Sequence, residues 1–266
     1  MELCEGRIRE GISGGAKDWR LRVLPVTDST NAVARAAGAA GEAEGLVILA
    51  GEQTAGRGRL GRSFFSPGAT GLYMSLLLRP GLPPEQCIRI TTAAAVAVCR
   101  AVEKLTGETP GIKWVNDIFL HGRKVCGILT EAAFDGQAGL QYAVLGIGIN
   151  VMPPEGGFPP EIAEIAGSLF SEFVPGRREI VAAEVLNCLA EVLQGLADGK
   201  HAEEYRARSI VLGQRVNILG GSGGEAVVTD IDPECRLHLR RDDGREEILS
   251  TGEISIRLQG KDAEKK

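Results

Sequence analysis

Short apolar segments, separated by polar or glycine-rich ones, fill the first part of the chain. The segments VLPVT, GLVILAG and GLYMSLLLRP are of strand length, and we predict a strand for each. The polar residues DSTN (Asp28–Asn31) supply helix-capping side chains directly before AVARAAGAA, which predicts a helix beginning there. Between the second and third strands, the segment after Gly51 predicts a loop.

Two longer stretches have the pattern of helices. The stretch from Pro84 to Leu105 is rich in alanine and has no internal glycine or proline after its start, and Gly107 follows it as a C-terminal stop. The stretch REIVAAEVLNCLAEVLQGLADG places Val181, Val185 and Leu189 at helical spacing. Between these helices, residues 111–134 alternate around His121 and predict a hairpin, LQYAVLGIGINV predicts a buried strand, and residues 153–178 are rich in turn residues.

The texture of the sequence changes near residue 212. Short alternating segments separated by GGSGG, DPE, DDG and TG follow, which is typical of a small all-β module. We therefore predict a larger α+β domain over residues 1–211, a β-domain over residues 212–260 and a charged tail over residues 261–266.

Composition and charge narrow the class of protein. The 266 residues are 44% hydrophobic and 24% charged, with a formal net charge of −5, so we expect an ordinary globular protein that does not bind nucleic acid. Six scattered cysteines without a CxxC pair indicate a reducing, cytoplasmic environment. No segment approaches the roughly 18–20 apolar residues of a membrane helix, so we expect no membrane association.

The loop GEQTAGRGRLGRSFFSPGATG is the main candidate for chemistry. It carries Arg57, Arg59 and Arg62 between glycines, and no acidic residue occurs from Gly56 to Pro84. The stretch formally matches G-x-G-x-x-G, but no helix opens at its glycines and no acid follows about 20 residues later, which argues against a dinucleotide site. A solvated surface turn is the simpler alternative. We favour a loop that clamps anions, because glycines allow close approach and arginines offer forked donors.

KWVND (Lys113–Asp117) and Lys124 allow two interpretations each. The first could be a strand end with an Asn-Asp turn, or it could supply Asn116 and Asp117 as oxygen donors near a magnesium nucleotide. A lysine beside a hairpin turn is usually solvated, but beside an arginine loop Lys124 could stabilise charge on a transferring phosphoryl group. The three histidines are far apart, and we expect no structural zinc.

Taken together, the motifs resemble those of the biotin protein ligase family. The motifs occur in the same order as in the family and extend over about residues 24 to 258. The motifs are DSTN, EQTAGRGRLGR (Glu52–Arg62) with the following SFFSP, KWVND, GRKVCGILTE (Gly122–Glu131), GIGINV (Gly146–Val151) and GEISIR.

The resemblance implies a fold and a reaction. The implied fold is a mixed sheet with flanking helices, related to class II aminoacyl-tRNA synthetases, followed by a small SH3-like barrel. The implied enzyme uses biotin and MgATP to make biotinyl-5′-AMP, and then transfers biotin to a lysine of a biotin carboxyl carrier protein. Members of the family differ in whether they form dimers, so the resemblance is compatible with either a monomer or a homodimer. The N-terminal DNA-binding domain of some members has no counterpart here, so we expect no repressor role.

The resemblance also implies roles for individual residues. The biotin site is expected to comprise Ser29, Thr30, Asn31, Gln53, Arg57, Gly58, Arg59 and Lys124. The nucleotide site is expected to comprise Arg59, Arg62, Phe64, Asn116, Asp117 and Asn150. Arg57, Arg59 and Lys124 are the expected catalytic residues, and Asp117 is the expected contact for the magnesium ion of MgATP.

Two positions depart from the family pattern, and two other activities compete. Phe64 stands where many members have tryptophan and Val115 where they have proline. The Phe64 ring can stack on adenine, but with less area and without the indole N–H donor. A lipoate or octanoate ligase on a related fold is the enzymatic alternative, although such proteins lack GRGRxGR. A biotin sensor without catalysis is the alternative of another class.

Overall fold

A seven-stranded mixed sheet forms the larger part of the protein. The computed structural model describes residues 2–135, 139–219 and 223–256. The strands lie in the order β1-β2-β3-β7-β6-β5-β4, in which only β1 and β2 are parallel. Their ranges are β1 (Arg20–Thr27), β2 (Leu46–Gln53), β3 (Gly71–Leu78), β4 (Gly111–Lys113), β5 (Asp117–Leu120), β6 (Arg123–Asp135) and β7 (Gly139–Asn150).

Helices cover both faces of this sheet. The helices are α1 (Glu5–Gly11), α2 (Thr30–Ala39), α3 (Ile88–Thr106), α4 (Arg177–Leu193) and α5 (Ala202–Ala207). Helix α2 packs on one face, against β2, β3 and β7, while α3 packs on the other and is itself covered by α4 and α5. Because the sheet lies between layers, its central strands can be apolar on both faces.

Strand β2 shows how the two cores are divided. Successive side chains of a strand point to opposite faces. Val47 and Leu49 accordingly join the large core with α3, while Leu46 and Ile48 join a smaller cluster under α2. All four side chains are buried, and this explains why GLVILAG is a continuous apolar segment rather than an alternating one.

Most elements predicted from the pattern are confirmed. Gly107 ends α3 in the left-handed conformation with φ of 73°, and the predicted hairpin turns at His121 and Gly122, which also have positive φ. Such φ values suit a tight hairpin turn. Sequence reasoning missed α1 and α5, which are too short to show a clear helical period.

The C-terminal residues form a second, antiparallel sheet. Its strands are β8 (Arg215–Leu219), β9 (Gly224–Ile231), β10 (Leu237–Arg240), β11 (Glu246–Leu249) and β12 (Glu253–Ile256). They lie in the order β11-β10-β9-β8-β12, and no barrel is closed among the described residues. The predicted tail over residues 261–266 lies outside the described residues.

In the described ranges of the chain, no helix has the length and apolar character required to cross a membrane. The six cysteines carry free thiols, and four of them are buried.

Candidate functional site

A pocket at one end of the large sheet collects most of the predicted site residues. It lies between the start of α2, the loop that follows β2, and the surfaces of β6 and β7. Its lining comprises Ser29, Thr30, Asn31, Gln53, Arg57, Gly58, Arg59, Phe64, Met74, Asn116, Lys124, Gly127, Ile128, Leu129, Gly146, Ile147 and Gly148. The fold therefore joins residues that are more than a hundred positions apart in sequence.

Hydroxyl and amide groups line one end of the pocket. Gln53 Oε1 accepts hydrogen bonds from the backbone N–H of Thr30 at 2.9 Å and from its hydroxyl at 3.1 Å. Gln53 Nε2 donates to Ser66 Oγ at 3.0 Å, and Ser66 donates to the carbonyl of Phe64 at 2.9 Å. These bonds fix which side of the Gln53 amide is donor and which is acceptor, so the end of the pocket has a defined polarity.

Asn31 is held by the protein on both sides of its amide. Ser75, a fully buried residue of β3, lies with its Oγ 2.6 Å from Asn31 Oδ1 and 2.8 Å from Thr30 Oγ1. Asn31 Nδ2 donates to Glu131 Oε2 at 2.8 Å. Asn31 is itself only 4% exposed, so it acts within the wall of the pocket as much as on its surface.

Glycines on β6 and β7 form the floor of the pocket. Gly127 and Gly148 are paired across the two strands, and the ring of Phe64 lies against both. A Cβ at Gly148 would lie 2.5 Å from the Phe64 ring, and one at Gly146 would lie 2.1 Å from Asn31 Oδ1. Only glycine leaves room for these neighbours, so the floor is flat because the sequence alternates glycine with apolar residues.

Lys124 lies at the far end of this floor, beside an acidic residue. Its Nζ is 2.6 Å from Asp117 Oδ1, in an ion pair whose angles fall outside those of a hydrogen bond. Asp117 lies on β5, and Lys124 on the adjacent β6, so the hairpin itself brings the pair together. The neighbouring Lys113 has its pKa lowered by burial, although the Asp117 carboxylate partly opposes this shift.

The arginine loop spans the pocket and reaches the C-terminal sheet. Arg59 donates to Asn116 Oδ1 at 3.1 Å and to the carbonyl of Gly252 at 2.8 Å. Arg62 pairs with Glu253 at the start of β12. The loop is therefore attached to both sheets, and its cations have counter-charges or acceptors in this arrangement.

Arg57 points towards a different carboxylate. Its Nη1 lies 3.7 Å from Glu131 Oε1, and Arg35 Nη1 of α2 lies 3.6 Å from the same oxygen. The Arg57 side chain is 45% exposed. It stands at the mouth of the pocket, where an incoming anion would meet it.

The structure does not bring all predicted residues into the pocket lining. Asp117 adjoins the lining through Lys124, whereas Arg62 is directed to Glu253. Asn150 donates to the carbonyl of Gly167 at 2.9 Å and so supports the turn-rich segment after β7. Phe64 lines the same pocket as Thr30 and Gln53, the residues predicted for biotin, and its stacking on adenine stays a prediction.

Sequence reasoning missed several residues of the site. They are Ser66, Met74, Ser75, Gly127, Glu131, Gly146 and Gly148. Some signals were present: Gly146 and Gly148 recur at period two and so share one face, and Ser75 interrupts an apolar strand. Nothing in the pattern indicates that Glu131 reaches Arg57, because that contact depends on the loop conformation.

Acidic and sulfur ligands do not cluster in the described residues. No group of three or more His, Cys, Asp or Glu side chains there could hold a metal ion.

Comparison with known proteins assigns the chain to a family. A sequence model of the Biotin/lipoate A/B protein ligase family matches residues 23–150, and one of the Biotin protein ligase C terminal domain matches residues 211–257. The bifunctional ligase/repressor BirA of Bacillus subtilis (strain 168) is 34% identical over 257 residues, which cover 94% of this chain and 78% of that protein. The chain belongs to the biotin protein ligase family.

Other members of the biotin protein ligase family agree over nearly the whole chain. The biotin–[acetyl-CoA-carboxylase] ligase of Mycobacterium tuberculosis (strain ATCC 25618 / H37Rv) is 34% identical, with 95% of each chain covered. Among solved structures, the biotin protein ligase from Aquifex aeolicus in complex with biotin and ATP superposes with a TM-score of 0.73 and 26% identity, covering 90% of this chain and 98% of that one. The Leishmania major ligase in complex with biotinyl-5-AMP gives a TM-score of 0.60 at 25% identity, covering 87% and 99%.

Proposed function

We propose that the protein activates biotin with ATP to biotinyl-5′-AMP and transfers the biotinyl group to a lysine of a biotin carboxyl carrier protein. The observation that carries the proposal is that one pocket is lined both by Arg57, Arg59 and Lys124 and by the neutral polar side chains of Thr30 and Gln53. The first group suits a carboxylate and phosphates, and the second suits a urea. Family membership supports the same activity.

The first step is an attack of the biotin carboxylate on the α-phosphorus of ATP, which releases pyrophosphate. Both reactants are anionic, so they repel each other in water. Cations placed where the charges meet remove much of this repulsion and stabilise the charge that develops during the reaction. In the second step the lysine amine attacks the acyl carbon, AMP leaves with the bonding electrons, and the amine loses a proton.

The residues of the pocket divide these tasks. Lys124, on the rigid hairpin of β5 and β6, is proposed to contact the reacting carboxyl and the α-phosphate. Arg57 and Arg59, on the loop, are proposed to cover the carboxylate and the adenylate and to exclude water from the mixed anhydride. Ser29, Thr30, Asn31 and Gln53 are proposed for the biotin ring, and Arg62, Phe64, Asn116 and Asn150 for the nucleotide.

Asp117 fits the magnesium ion that accompanies ATP. Its Oδ1 is buried and has no hydrogen-bond partner of good geometry among the described residues, although Lys124 lies close by. Magnesium in nucleotide sites is usually bound by one or two carboxylates together with the phosphates. The ion would there offset the charge of the triphosphate.

The finer division of the chain is part of the proposal. We assign residues 1–211 to catalysis and residues 212–260 to an SH3-like domain, which the match of the C-terminal family model and the five short antiparallel strands support. We also place the reaction in the cytoplasm, in line with six free thiols. The carrier is inferred from the names of the related acetyl-CoA-carboxylase ligases.

The proposal is tested by mixing the purified protein with ATP, an apo carrier domain, and either biotin or lipoate. Mass spectrometry should show one biotinyl group on the carrier, dependent on ATP, and no lipoyl group. Lipoyl transfer alone would favour the lipoate ligase alternative. Biotin binding without pyrophosphate release would favour the sensor alternative.

A further inference from the structure

Glu131 lies beside the pocket but is not among the residues proposed to contact biotin, the nucleotide or magnesium. It lies on β6 next to the pocket, with its side chain 26% exposed. One carboxylate oxygen, Oε1, stands within 3.7 Å of two guanidinium groups, those of Arg35 and Arg57. The other, Oε2, accepts a hydrogen bond of 2.8 Å from Asn31 Nδ2. Glu131 thus contacts both the loop and the polar end of the pocket.

The two arginines belong to different elements of the fold. Arg35 belongs to the helix α2, which packs against the large sheet, whereas Arg57 belongs to the loop. With Glu131 neutral, both cations would face one another around an uncharged group. Both side chains are about half exposed and can move, so repulsion would drive them apart and draw Arg57 away from Glu131 and the mouth of the pocket.

The other oxygen acts on the pocket wall. Asn31 Oδ1 lies 2.6 Å from Ser75 Oγ, and Asn31 Nδ2 donates to Glu131 Oε2 at 2.8 Å and, at a longer 3.4 Å, to the carbonyl of Leu129. Glu131 therefore supplies the shorter of the two bonds that hold the Nδ2 group. Without Glu131 the Nδ2 group would keep only the longer bond to the Leu129 carbonyl, and the orientation of the Asn31 amide would be less firmly fixed. The polar end of the pocket would become less selective.

We propose that Glu131 is a positioning residue for the reaction: one carboxylate oxygen keeps Arg57 over the pocket against the charge of Arg35, and the other orients Asn31. This inference rests on the proposed function, because its effects are read through biotin and the adenylate. Glu131 acts through its neighbours and need not touch either substrate.

The two parts of the proposal are separated by two substitutions. Glu131→Gln keeps an acceptor for Asn31 but removes the charge, so the KM for biotin in ATP–pyrophosphate exchange should stay within about twofold, while the bound adenylate should be lost about fivefold faster. Glu131→Ala removes the acceptor as well, and the KM for biotin should rise about tenfold. Glu42→Gln, which removes an exposed ion pair with Arg20, serves as the matched control.

Rescue by removing a second charge distinguishes positioning from a general loss of structure. Adding Arg35→Gln to Glu131→Gln removes the repulsion and should return adenylate loss to within about twofold of the parent. Raising the salt concentration towards 1 M, where the screening length falls to about 3 Å, should have a similar effect in Glu131→Gln alone.

The experiment separates the inference from the proposed function. If the parent is active but Glu131→Gln loses adenylate no faster than Glu42→Gln, the inference is overturned. The same holds if Arg35→Gln fails to reverse the loss. A parent that makes no adenylate from biotin and ATP overturns the proposed function and the inference with it.

Discussion

Lys124 shows how a single charge is prepared for the proposed reaction. Its partner Asp117 lies 2.6 Å away on the adjacent strand, which holds the ammonium group at the floor of the pocket. A lysine next to a hairpin turn could be placed near an arginine loop from the sequence alone. The pairing of Lys124 with Asp117 could not be predicted in this way, because it depends on the register of β5 against β6.

Lys124→Ala should depress adenylate formation with little effect on folding. Removing one well-placed donor from the developing charge costs about 3 kcal/mol, or on the order of a hundredfold in rate. The measurement is single-turnover adenylate formation with saturating biotin and ATP. Lys200→Ala, at an exposed lysine paired with Asp198, is the control and should keep the parent rate.

An unchanged single-turnover rate in Lys124→Ala would remove this residue from the chemistry.

Among the elements, β6 and β7 together build the floor on which a flat ligand could lie. Their apolar character and approximate limits could be predicted from the alternating sequence, as could those of α3 and α4. The role of the glycines in these strands could not be predicted, since their spacing of two residues shows only that Gly146 and Gly148 share a face. Which side chains cover that face depends on how the loop returns Phe64 to the sheet.

Gly148→Ala should therefore impair biotin binding. The added Cβ would lie 2.5 Å from the Phe64 ring, so the ring must shift within the pocket. Overpacking of this kind costs about 1–3 kcal/mol, and the KM for biotin should rise about tenfold or more. Gly127→Ala is the graded control, because its nearest contacts are at 3.3 Å. Equal effects of the two substitutions would contradict the described position of Phe64.

The junction of α3, α5 and the C-terminal sheet carries a pH dependence. His201 is buried, with its Nε2 2.8 Å from Thr92 Oγ1, and Arg89 nearby pairs with Glu234. Burial, assisted by the charge of Arg89, lowers the pKa of His201 from 6.5 to about 4. On acidification the unfolded chain therefore binds this proton before the folded one does.

Stability should consequently fall as the pH is lowered from about 6.5 towards 4. Above pH 6.5 His201 is neutral in both the folded and the unfolded chain, so its titration does not affect stability there. Between pH 6.5 and pH 4 the loss in free energy of unfolding reaches on the order of 3 kcal/mol, since each pKa unit corresponds to about 1.4 kcal/mol. In His201→Gln the free energy of unfolding, measured by urea denaturation, should fall by about 3 kcal/mol less than in the parent when the pH is lowered from 6.5 to 4. Parallel curves for the parent and the variant would show that His201 titrates normally.

For the whole molecule, the arginine loop connects the two sheets. Arg59 joins Asn116 at the end of the hairpin to the carbonyl of Gly252 beside β12. The sequence could indicate a small β-module and an anion-binding loop, but not that they meet, because 193 residues separate Arg59 from Gly252. The meeting point depends on how the C-terminal domain packs on α3, where Arg89 pairs with Glu234, and on the turn after β4, where Trp114 donates to the carbonyl of Cys235.

Arg59→Ala should leave the fold intact and loosen the closed loop. The adenylate should then dissociate about tenfold faster or more, because a charge-assisted bond to the phosphate and the attachment to the C-terminal sheet are both lost. The measurement is the half-life of adenylate on the enzyme without carrier. Arg245→Ala, at an exposed arginine directly before β11, is the control. Equal half-lives for parent and Arg59→Ala would exclude a covering role for this residue.

The most direct measurement of the central claim is a single turnover of the unmodified protein with ATP and biotin in the absence of carrier. Cations that bring a carboxylate and a triphosphate together should yield about one pyrophosphate per protein molecule, with the adenylate retained. Pyrophosphate release that is the same with and without biotin would contradict the account.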